Sequence, residues 1–257
     1  MYPSHLPLFG AHARAGSYEC SLTTVVLTSS RFLLPVALAP GAFLFGSALG
    51  TRHLAPYDIN VKYLIGVDEV GRGPIAGPVA ACALACLDPD VLASFSSVRD
   101  SKQLSEKQRE SWLEKIKTYA DAGRIRYTVA FQSERVIDTV NIRQATLLAV
   151  FEAIHTLKLP ATDSRILLDG GLVAPQEFLD QETIIGGDAL VPIVAMASIV
   201  AKVMRDRLMK ELGTQYPGYG FEDHKGYGTR GHYAAIGKYG VLPVHRRSFL
   251  KEIEAFT

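Results

Sequence analysis

The chain carries one unusual stretch, Tyr63-Leu-Ile-Gly-Val-Asp68-Glu69-Val-Gly71-Arg72-Gly73-Pro-Ile-Ala-Gly-Pro78. Its first five residues form a short apolar run of the kind found in buried strands. Two acids end that run, and a glycine-arginine-glycine turn leads to the next apolar run. Because acids are costly to bury unless they are paired or hold a metal, these two indicate a chemical role at the mouth of a core strand.

The composition allows one large domain or one domain with an appendage. The chain has 257 residues, is 48% hydrophobic and carries a net charge of +1. That charge makes no global case for nucleic-acid binding, so any such case depends on local patches. The three cysteines, Cys20, Cys82 and Cys86, form no disulfide framework and lack partners at metal-ligand spacing. We therefore interpret the cysteines as buried structural thiols, which fits a reducing, cytoplasmic setting.

The first sixty residues differ from the rest, with few acids and many small residues. The apolar patch Phe32–Leu49 nearly reaches membrane-spanning length, but prolines and glycines interrupt it. We expect residues 1–60 to be a poorly ordered extension, or to follow a start codon placed too early; a signal or anchor is the less favoured alternative. Residues 61–257 then form the folded domain, without membrane association.

Alternating strand and helix signals follow the opening stretch. The apolar runs on either side of the glycine turn are spaced for a hairpin with an enlarged loop. Ser105 with Gln108 forms a capping-box pattern at the start of a helix. Asn141 is placed to cap a longer helix, and Ile166–Leu168 reads as another core strand. The order of elements predicts an α/β or α+β class with a mixed sheet and a helical C-terminal segment.

Acids stand at three predicted strand endings, namely Asp68-Glu69, Asp169 and Asp188. Sites in open sheets form where strand ends gather. If these strands are neighbours, four carboxylates converge, and oxygen ligands of this kind select Mg²⁺ or Mn²⁺. Two such ions are the usual apparatus for attack of water on a phosphodiester.

Each acid also has a structural alternative. A single strand-end aspartate is usually a turn or cap residue; Asp188 could cap a helix, and Asp169-Gly170 is an ordinary turn pair. Adjacent strand residues point to opposite faces, so Asp68 and Glu69 serve one site only if the strand bends at Glu69. The glycine at position 71 makes such a bend plausible.

The Gly71-Arg72-Gly73 turn matches neither a dinucleotide loop nor a P-loop. It is compatible with a backbone turn that grips phosphate with Arg72 as charge partner, or with a tight connection and an exposed arginine. Two basic segments, His224–Thr229 and His245-Arg246-Arg247, suit phosphates, and Tyr227 could stack on a sugar or base. A solvated loop and a buried tyrosine are the alternatives.

These motifs together resemble the type 2 ribonucleases H, the bacterial ribonuclease HII family. The resemblance covers most of the chain after about residue 62 and rests on motifs in the family's order and spacing. They are Gly66–Pro78, Asp100–Ser105, Asn141 with Ala145-Thr146, Leu168–Gly170, Gly187-Asp188, Ala197–Val203 with Arg205-Asp206, His224–Thr229 and His245–Phe249.

The resemblance implies a ribonuclease H-like α/β fold, with a central mixed sheet flanked by helices. It implies a metal-dependent endoribonuclease, acting as a monomer, that cleaves the RNA strand of RNA–DNA hybrids in DNA replication and repair and leaves 5′-phosphomonoesters. It also implies incision 5′ to single ribonucleotides embedded in duplex DNA. The cofactor would be Mn²⁺ or Mg²⁺, as two ions.

By matching positions, the resemblance also implies the roles of particular residues. Asp68, Glu69, Asp169 and Asp188 would be catalytic metal ligands. Gly71, Arg72 and Gly73 would contact the 2′-OH and the adjacent phosphate, in keeping with how proteins distinguish RNA from DNA. Tyr227 would pack against the next sugar and sense the DNA–RNA junction, and Lys102 would contact the nucleic-acid backbone.

Two positions depart from the family pattern, because Gly171 replaces an asparagine and Gly186 replaces a lysine. The second change puts a phosphate contact beside Asp188 in doubt. The rival interpretations are a type 3 ribonuclease H, another two-metal nuclease or integrase of this fold, and a non-catalytic nucleic-acid-binding module. Arg72 argues against the first, since that family has a Gly-Lys-Gly turn, and the Tyr227 segment argues against the second.

Overall fold

The computed structural model describes residues 61–98 and 101–250, together with the backbone of two short strands at Glu19–Cys20 and Thr23–Leu27. Predictions that concern the remainder of residues 1–60, Asp100 and residues 251–257 lie outside the described residues. The division of the chain at about residue 60 therefore stays a prediction.

Seven strands form one mixed sheet. Their order across the sheet is β1-β2-β5-β4-β3-β6-β7. The pairs β1/β2, β3/β4 and β4/β5 are antiparallel, whereas β2/β5, β3/β6 and β6/β7 are parallel. The bounds are β1 Glu19–Cys20, β2 Thr23–Leu27, β3 Tyr63–Val70, β4 Val79–Cys86, β5 Ile125–Gln132, β6 Ser164–Asp169 and β7 Gln181–Ile184.

Helices cover both faces of this sheet. Their bounds are α1 Asp90–Ala93, α2 Glu106–Asp121, α3 Glu134–Thr156, α4 Gly187–Leu190, α5 Pro192–Gln215, α6 Phe221–His224 and α7 Arg230–Tyr239. Short 3₁₀ turns occupy Ser101–Gln103, Ala161–Asp163 and Arg247–Phe249. No helix among residues 61–98 and 101–250 is long and apolar enough to cross a membrane.

The alternation of side chains along β3 divides the core into two layers. Ile65 and Val67 pack with α3, whereas Leu64 lies on the face that α2 and α5 cover. Gly66 lets α5 approach closely, since a Cβ there would stand 2.4 Å from the carbonyl oxygen of Ile193. Helix α5, which follows Asp188 in the chain, therefore packs closely against β3, which carries Asp68.

The hairpin and the helix starts predicted from the sequence are confirmed. Strands β3 and β4 pair one to one from Leu64↔Cys86 to Val70↔Ala80. Ser105 and Gln108 form the capping box of α2. Helix α3 is kinked at Asn141, whose φ is 70° and whose Oδ1 accepts from the amide of Gln144 at 3.1 Å.

The C-terminal segment returns to the glycine turn after β3. A third apolar cluster joins α6 and α7 to the loop at Ile75 and Ala76. Ala76 forms a β-bridge with His245, and the amide of Arg246 donates to the carbonyl of Ile75 at 2.8 Å. The last described part of the chain therefore packs against the loop that follows β3, beside the predicted site.

Candidate active site

Asp68 and Asp169 are brought together by strand register. The parallel pairing of β3 with β6 sets Val67 against Leu168, so the two aspartates are the next residues along each strand. Both lie on the face covered by α5, because the preceding Val67 and Leu168 pack with α3 on the other face. Carboxylate oxygens of Asp68, Asp169 and Asp188 all lie within 4.8 Å of one another.

Asp188 reaches this group from a helix rather than from a strand ending. Strand β7 ends at Ile184, and Asp188 lies in the first turn of α4. The amide of Gly187 donates to Asp169 Oδ1 at 2.6 Å, which locks the start of α4 onto the end of β6. The strand-end prediction for Asp188 was wrong about the element, although the residue does join the other two aspartates.

Glu69 lies at the same pocket but outside the three-carboxylate group. The one-to-one pairing of β3 with β4 continues through Val70, so the strand has no bulge at Glu69. The expected bend is absent, and strand alternation turns Glu69 away from the face of Asp68. Its carboxylate accepts from Arg72 Nη1 at 3.2 Å, and its amide donates to Asp68 Oδ1 at 2.7 Å.

Asp68 lies in an environment that disfavours its charge. Burial raises the pKa of this carboxyl well above its usual range, and the negative charges of Glu69 and Asp169 raise it further. A hydrogen bond from the Ser198 hydroxyl acts in the opposite direction. An uncompensated cluster of this kind is stabilised by a cation.

The glycine turn and Tyr227 line an open pocket of about 250 Å³ with the acids. Arg72 has a half-exposed side chain that projects from the turn. The ring of Tyr227 stands beside Gly73, where an added Cβ would be 3.5 Å from Cε1. Lys102 also lines the pocket, and its ammonium lies 3.0 Å from Asp188 Oδ2. The structure therefore gathers all nine predicted site residues around one group of acids.

Helix α5 supplies polar residues that were not among the predicted site residues. Ser198, Lys202 and Arg205 have the spacing i, i+4, i+7, which places them on one helical stripe. Ser198 and Lys202 line the pocket, and the Lys202 ammonium lies 2.7 Å from Asp206 Oδ1. The helical spacing was the available signal, because the site already required polar side chains facing β3.

The positive charge expected at Arg246 is not on the surface. His245 and Arg246 are both buried, at 1% and 0% exposure, so neither can meet a phosphate directly. The interpretation of these two as phosphate contacts was wrong, because their side chains turn inward onto backbone and ring partners. Arg247 is exposed.

Both positions that depart from the family pattern have room for a side chain. A Cβ at Gly171 or at Gly186 would meet no heavy atom within 4 Å. Gly186 has a φ of +70°, a conformation that glycine adopts at little cost. Neither glycine is required by packing.

The acids fit a divalent cation by their chemistry. Three carboxylates converge, two of them at 4–5% exposure, and the charge of Asp68 is already disfavoured. Oxygen-only donor sets of this kind suit Mg²⁺ or Mn²⁺ rather than zinc. Of the described residues, these three are the group that could hold a metal ion.

A mixed sheet with helices on both faces, and acids gathered where β3 and β6 end, defines the class of ribonuclease H-like proteins. The solved structure of ribonuclease H2 from Pyrococcus horikoshii OT3 is similar, with a TM-score of 0.60 at 26% identity over 76% of this chain and 98% of that one.

Sequence comparison narrows the class to one family. The family model for ribonuclease HII matches residues 65–252. Ribonuclease HII of Endomicrobium trichonymphae is 47% identical over 193 residues, covering 75% of this chain and 88% of that protein. Ribonuclease HII of Burkholderia mallei (strain SAVP1) is 44% identical over 211 residues, covering 82% and 94%. The chain belongs to the ribonuclease HII family, and membership and fold together support ribonuclease H activity on RNA–DNA substrates.

Proposed function

We infer that this protein is an endonuclease that hydrolyses the RNA strand of RNA–DNA hybrids and incises 5′ to single ribonucleotides in duplex DNA. The observation that carries this inference is the convergence of Asp68, Asp169 and Asp188 within 4.8 Å, beside a pocket lined by the Gly71–Gly73 turn and Tyr227. A cutting centre and a surface able to contact a ribose are thus adjacent.

The proposed metal site consists of Asp68, Asp169 and Asp188, with Glu69 beside them. Bound Mn²⁺ or Mg²⁺ would supply the positive charge and Lewis acidity that attack of water on a phosphodiester needs. The protein contributes preorganisation. The amide of Gly187 holds Asp169, and the Ser198 hydroxyl and the Glu69 amide hold Asp68.

We assign substrate positioning to the pocket residues other than the acids. Arg72 and Lys202 provide positive charge for phosphate oxygens, and Lys102 lies at the rim beside Asp188. The glycines at 71 and 73 let the nucleic acid approach the backbone closely. Tyr227 offers an aromatic face, 45% exposed, for the neighbouring sugar.

The rival functions differ from this proposal in measurable ways. A non-catalytic binding module would bind hybrids without metal-dependent cleavage. The arginine in the Gly71–Gly73 turn and the family match favour the type 2 assignment.

The proposal is tested by incubating the purified protein with an RNA–DNA hybrid in Mn²⁺, in Mg²⁺ and in EDTA. We expect cleavage with either metal and none in EDTA. Asp68→Asn should retain hybrid binding and lose cleavage by at least about a thousandfold, since it removes a charged ligand. Equal cleavage by wild type in EDTA, or by Asp68→Asn, would refute the proposal.

A further inference from the structure

Two fully buried arginines lie behind the Gly71–Gly73 turn. Arg205 and Arg246 are both 0% exposed. Burial lowers the pKa of Arg205 to about 10 and that of Arg246 to about 9, so both guanidinium groups remain charged at neutral pH. Burying two like charges is costly, which calls for a reason beyond filling space.

The acceptors of both guanidinium groups are backbone carbonyls. Arg205 donates to the carbonyls of Pro78 at 2.9 Å, Lys225 at 3.0 Å and Ala76 at 3.4 Å. Arg246 donates to those of Gly77 at 2.9 Å, Arg72 at 3.0 Å and Gly71 at 2.6 Å. Arg246 is therefore the one of the two that holds the turn itself.

The Arg246 contacts determine which way the turn presents its amides. In a trans peptide the C=O and the following N–H point in opposite directions. Because the carbonyls of Gly71 and Arg72 point at the buried guanidinium, the N–H groups of Arg72 and Gly73 point away from it. No acceptor for either N–H is found within residues 61–98 and 101–250. Two consecutive amides of this kind form a concave donor site for an anion or a hydroxyl.

We propose that Arg246 is a positioning residue for substrate. Its hydrogen bonds to the carbonyls of the Gly71–Gly73 turn fix the orientation of the backbone amides that the turn offers to the ribonucleotide. This inference rests on the proposed function for the identity of the ligand. The fork geometry is essential, because Nη1 and Nη2 engage two successive carbonyls while Nε engages a third. A lysine keeps the charge and cannot reproduce that geometry.

The C-terminal segment holds Arg246 in place. Its amide pairs with Ile75, and the adjacent His245 forms the bridge to Ala76. Asp138 on α3 then accepts from the amides of Arg247 and Ser248, each at 2.9 Å. The orientation of the turn thus depends on a residue more than 170 positions away, since the Arg246 bonds to Arg72 and Gly71 span 174 and 175 positions.

The first measurement needs no catalytic activity. Trypsin cleaves after Arg72 only when the turn opens, so the rate at Arg72 is compared with the rate at exposed Lys107. Arg246→Lys is expected to raise that ratio roughly tenfold or more, because charged hydrogen bonds to the turn are lost. Arg247→Lys, the same exchange at the exposed neighbour, should keep the wild-type ratio. A wild-type ratio in Arg246→Lys would overturn the proposal.

The second measurement is steady-state cleavage of a DNA duplex with one ribonucleotide. Arg246→Lys should lower kcat/KM roughly ten- to hundredfold, mainly through kcat, as misplacement of bound substrate does. Wild-type kinetics in Arg246→Lys would overturn the role in catalysis. If wild type itself does not cut this duplex, the proposed function fails, while the trypsin ratio still decides whether Arg246 holds the turn.

A second variant covers the case in which Arg246→Lys does not fold. Asp138→Ala removes the half-buried carboxylate that caps the 3₁₀ turn after Arg246, and it changes no residue of the apolar core. It should raise the trypsin ratio at Arg72 by a smaller factor of the same sign. An unchanged ratio in a folded Asp138→Ala protein would then contradict the proposal.

Discussion

Asp68 is held in the folded protein against an electrostatic cost. Burial, Glu69 and Asp169 all raise its pKa, which means that the ionised form is disfavoured in the folded state. The sequence indicated the acids but not this cost, which depends on how closely the strand register sets Asp68 beside Asp169. Such local conflicts are typical of functional sites, where stability is given up for chemistry.

Asp68→Asn should therefore stabilise the metal-free protein. We expect the free energy of unfolding in EDTA to rise by about 0.5–2 kcal/mol at neutral pH, since the variant removes a buried charge from two acidic neighbours. Denaturant unfolding in EDTA, repeated with Mn²⁺, provides the measurement. Added Mn²⁺ should raise the midpoint of wild type more than that of the variant. A destabilised variant in EDTA would contradict the electrostatic account.

The role proposed for Tyr227 predicts different effects on the two substrates that the family resemblance implies. Its ring lies beside Gly73 and is 45% exposed, so Tyr227→Ala removes the proposed sugar contact without opening the core. We expect a larger loss of kcat/KM on a single-ribonucleotide duplex than on a long hybrid. Tyr239→Ala, at a tyrosine exposed to a similar degree, serves as the control. Equal losses on both substrates would remove the junction-sensing role.

Among the elements, helix α5 is the one whose position decides the site. It contributes Ser198, Lys202 and Arg205 on one stripe, and Gly66 of β3 allows its backbone to come close. The sequence showed the motif Ala197–Val203 with Arg205-Asp206 in this helix. It did not reveal which face meets β3, because that face is selected by the glycine on the partner strand.

Gly66→Ala should displace α5. The new Cβ would lie 2.4 Å from the Ile193 carbonyl oxygen, so the helix or the strand must shift. Overpacking of this kind costs about 1–3 kcal/mol of unfolding free energy. Gly237→Ala in α7, where nothing lies within 4 Å, should instead stabilise by about 0.5–1 kcal/mol. Urea unfolding of both variants checks the contrast, and equal stability of the two would contradict it.

The segment around α6 and α7 contains a buried histidine cluster. His232 Nδ1 lies 2.9 Å from the Tyr227 carbonyl, and its Nε2 lies 3.1 Å from His245 Nε2. His245 Nδ1 accepts from the Leu242 amide, so His245 Nε2 carries the proton shared with His232. His224 stacks on His232 with ring centroids 4.3 Å apart. His232 and His245 fit their partners as neutral imidazoles.

Acid should weaken this segment. Burial lowers the pKa of His232 to about 4, and the adjacent histidines act in the same direction, against the hydrogen bond to Tyr227. The unfolded chain binds its proton near the ordinary value of 6.5, so stability is complete above pH 6.5 and is lost as the pH falls from 6.5 toward 4. His232→Asn keeps a donor for Tyr227 and should flatten the slope of the thermal midpoint between pH 6.5 and 5. The exposed His155→Asn should change that slope far less, and an unchanged slope in His232→Asn would contradict the assignment.

At the scale of the whole molecule, the sequence revealed more of the sheet and the acids than of what supports them. The hairpin, the capping box at Ser105 and the cap at Asn141 followed from local patterns, and the structure confirms them. The prediction that Glu69 shares one site with Asp68 depended on a bend in β3, and the regular pairing of β3 with β4 does not provide that bend. The buried position of Arg246 could not be predicted, because a basic residue in a polar run is usually exposed. Only long-range packing turns this side chain inward.

The most direct test of the central claim is to map the cut in a DNA duplex that contains one ribonucleotide. We predict that wild type with Mn²⁺ or Mg²⁺ makes a single incision immediately 5′ to the ribonucleotide, leaving a 5′-phosphate on it. The all-DNA duplex should remain intact. Incision on the 3′ side, or equal cutting of the all-DNA duplex, would contradict the account.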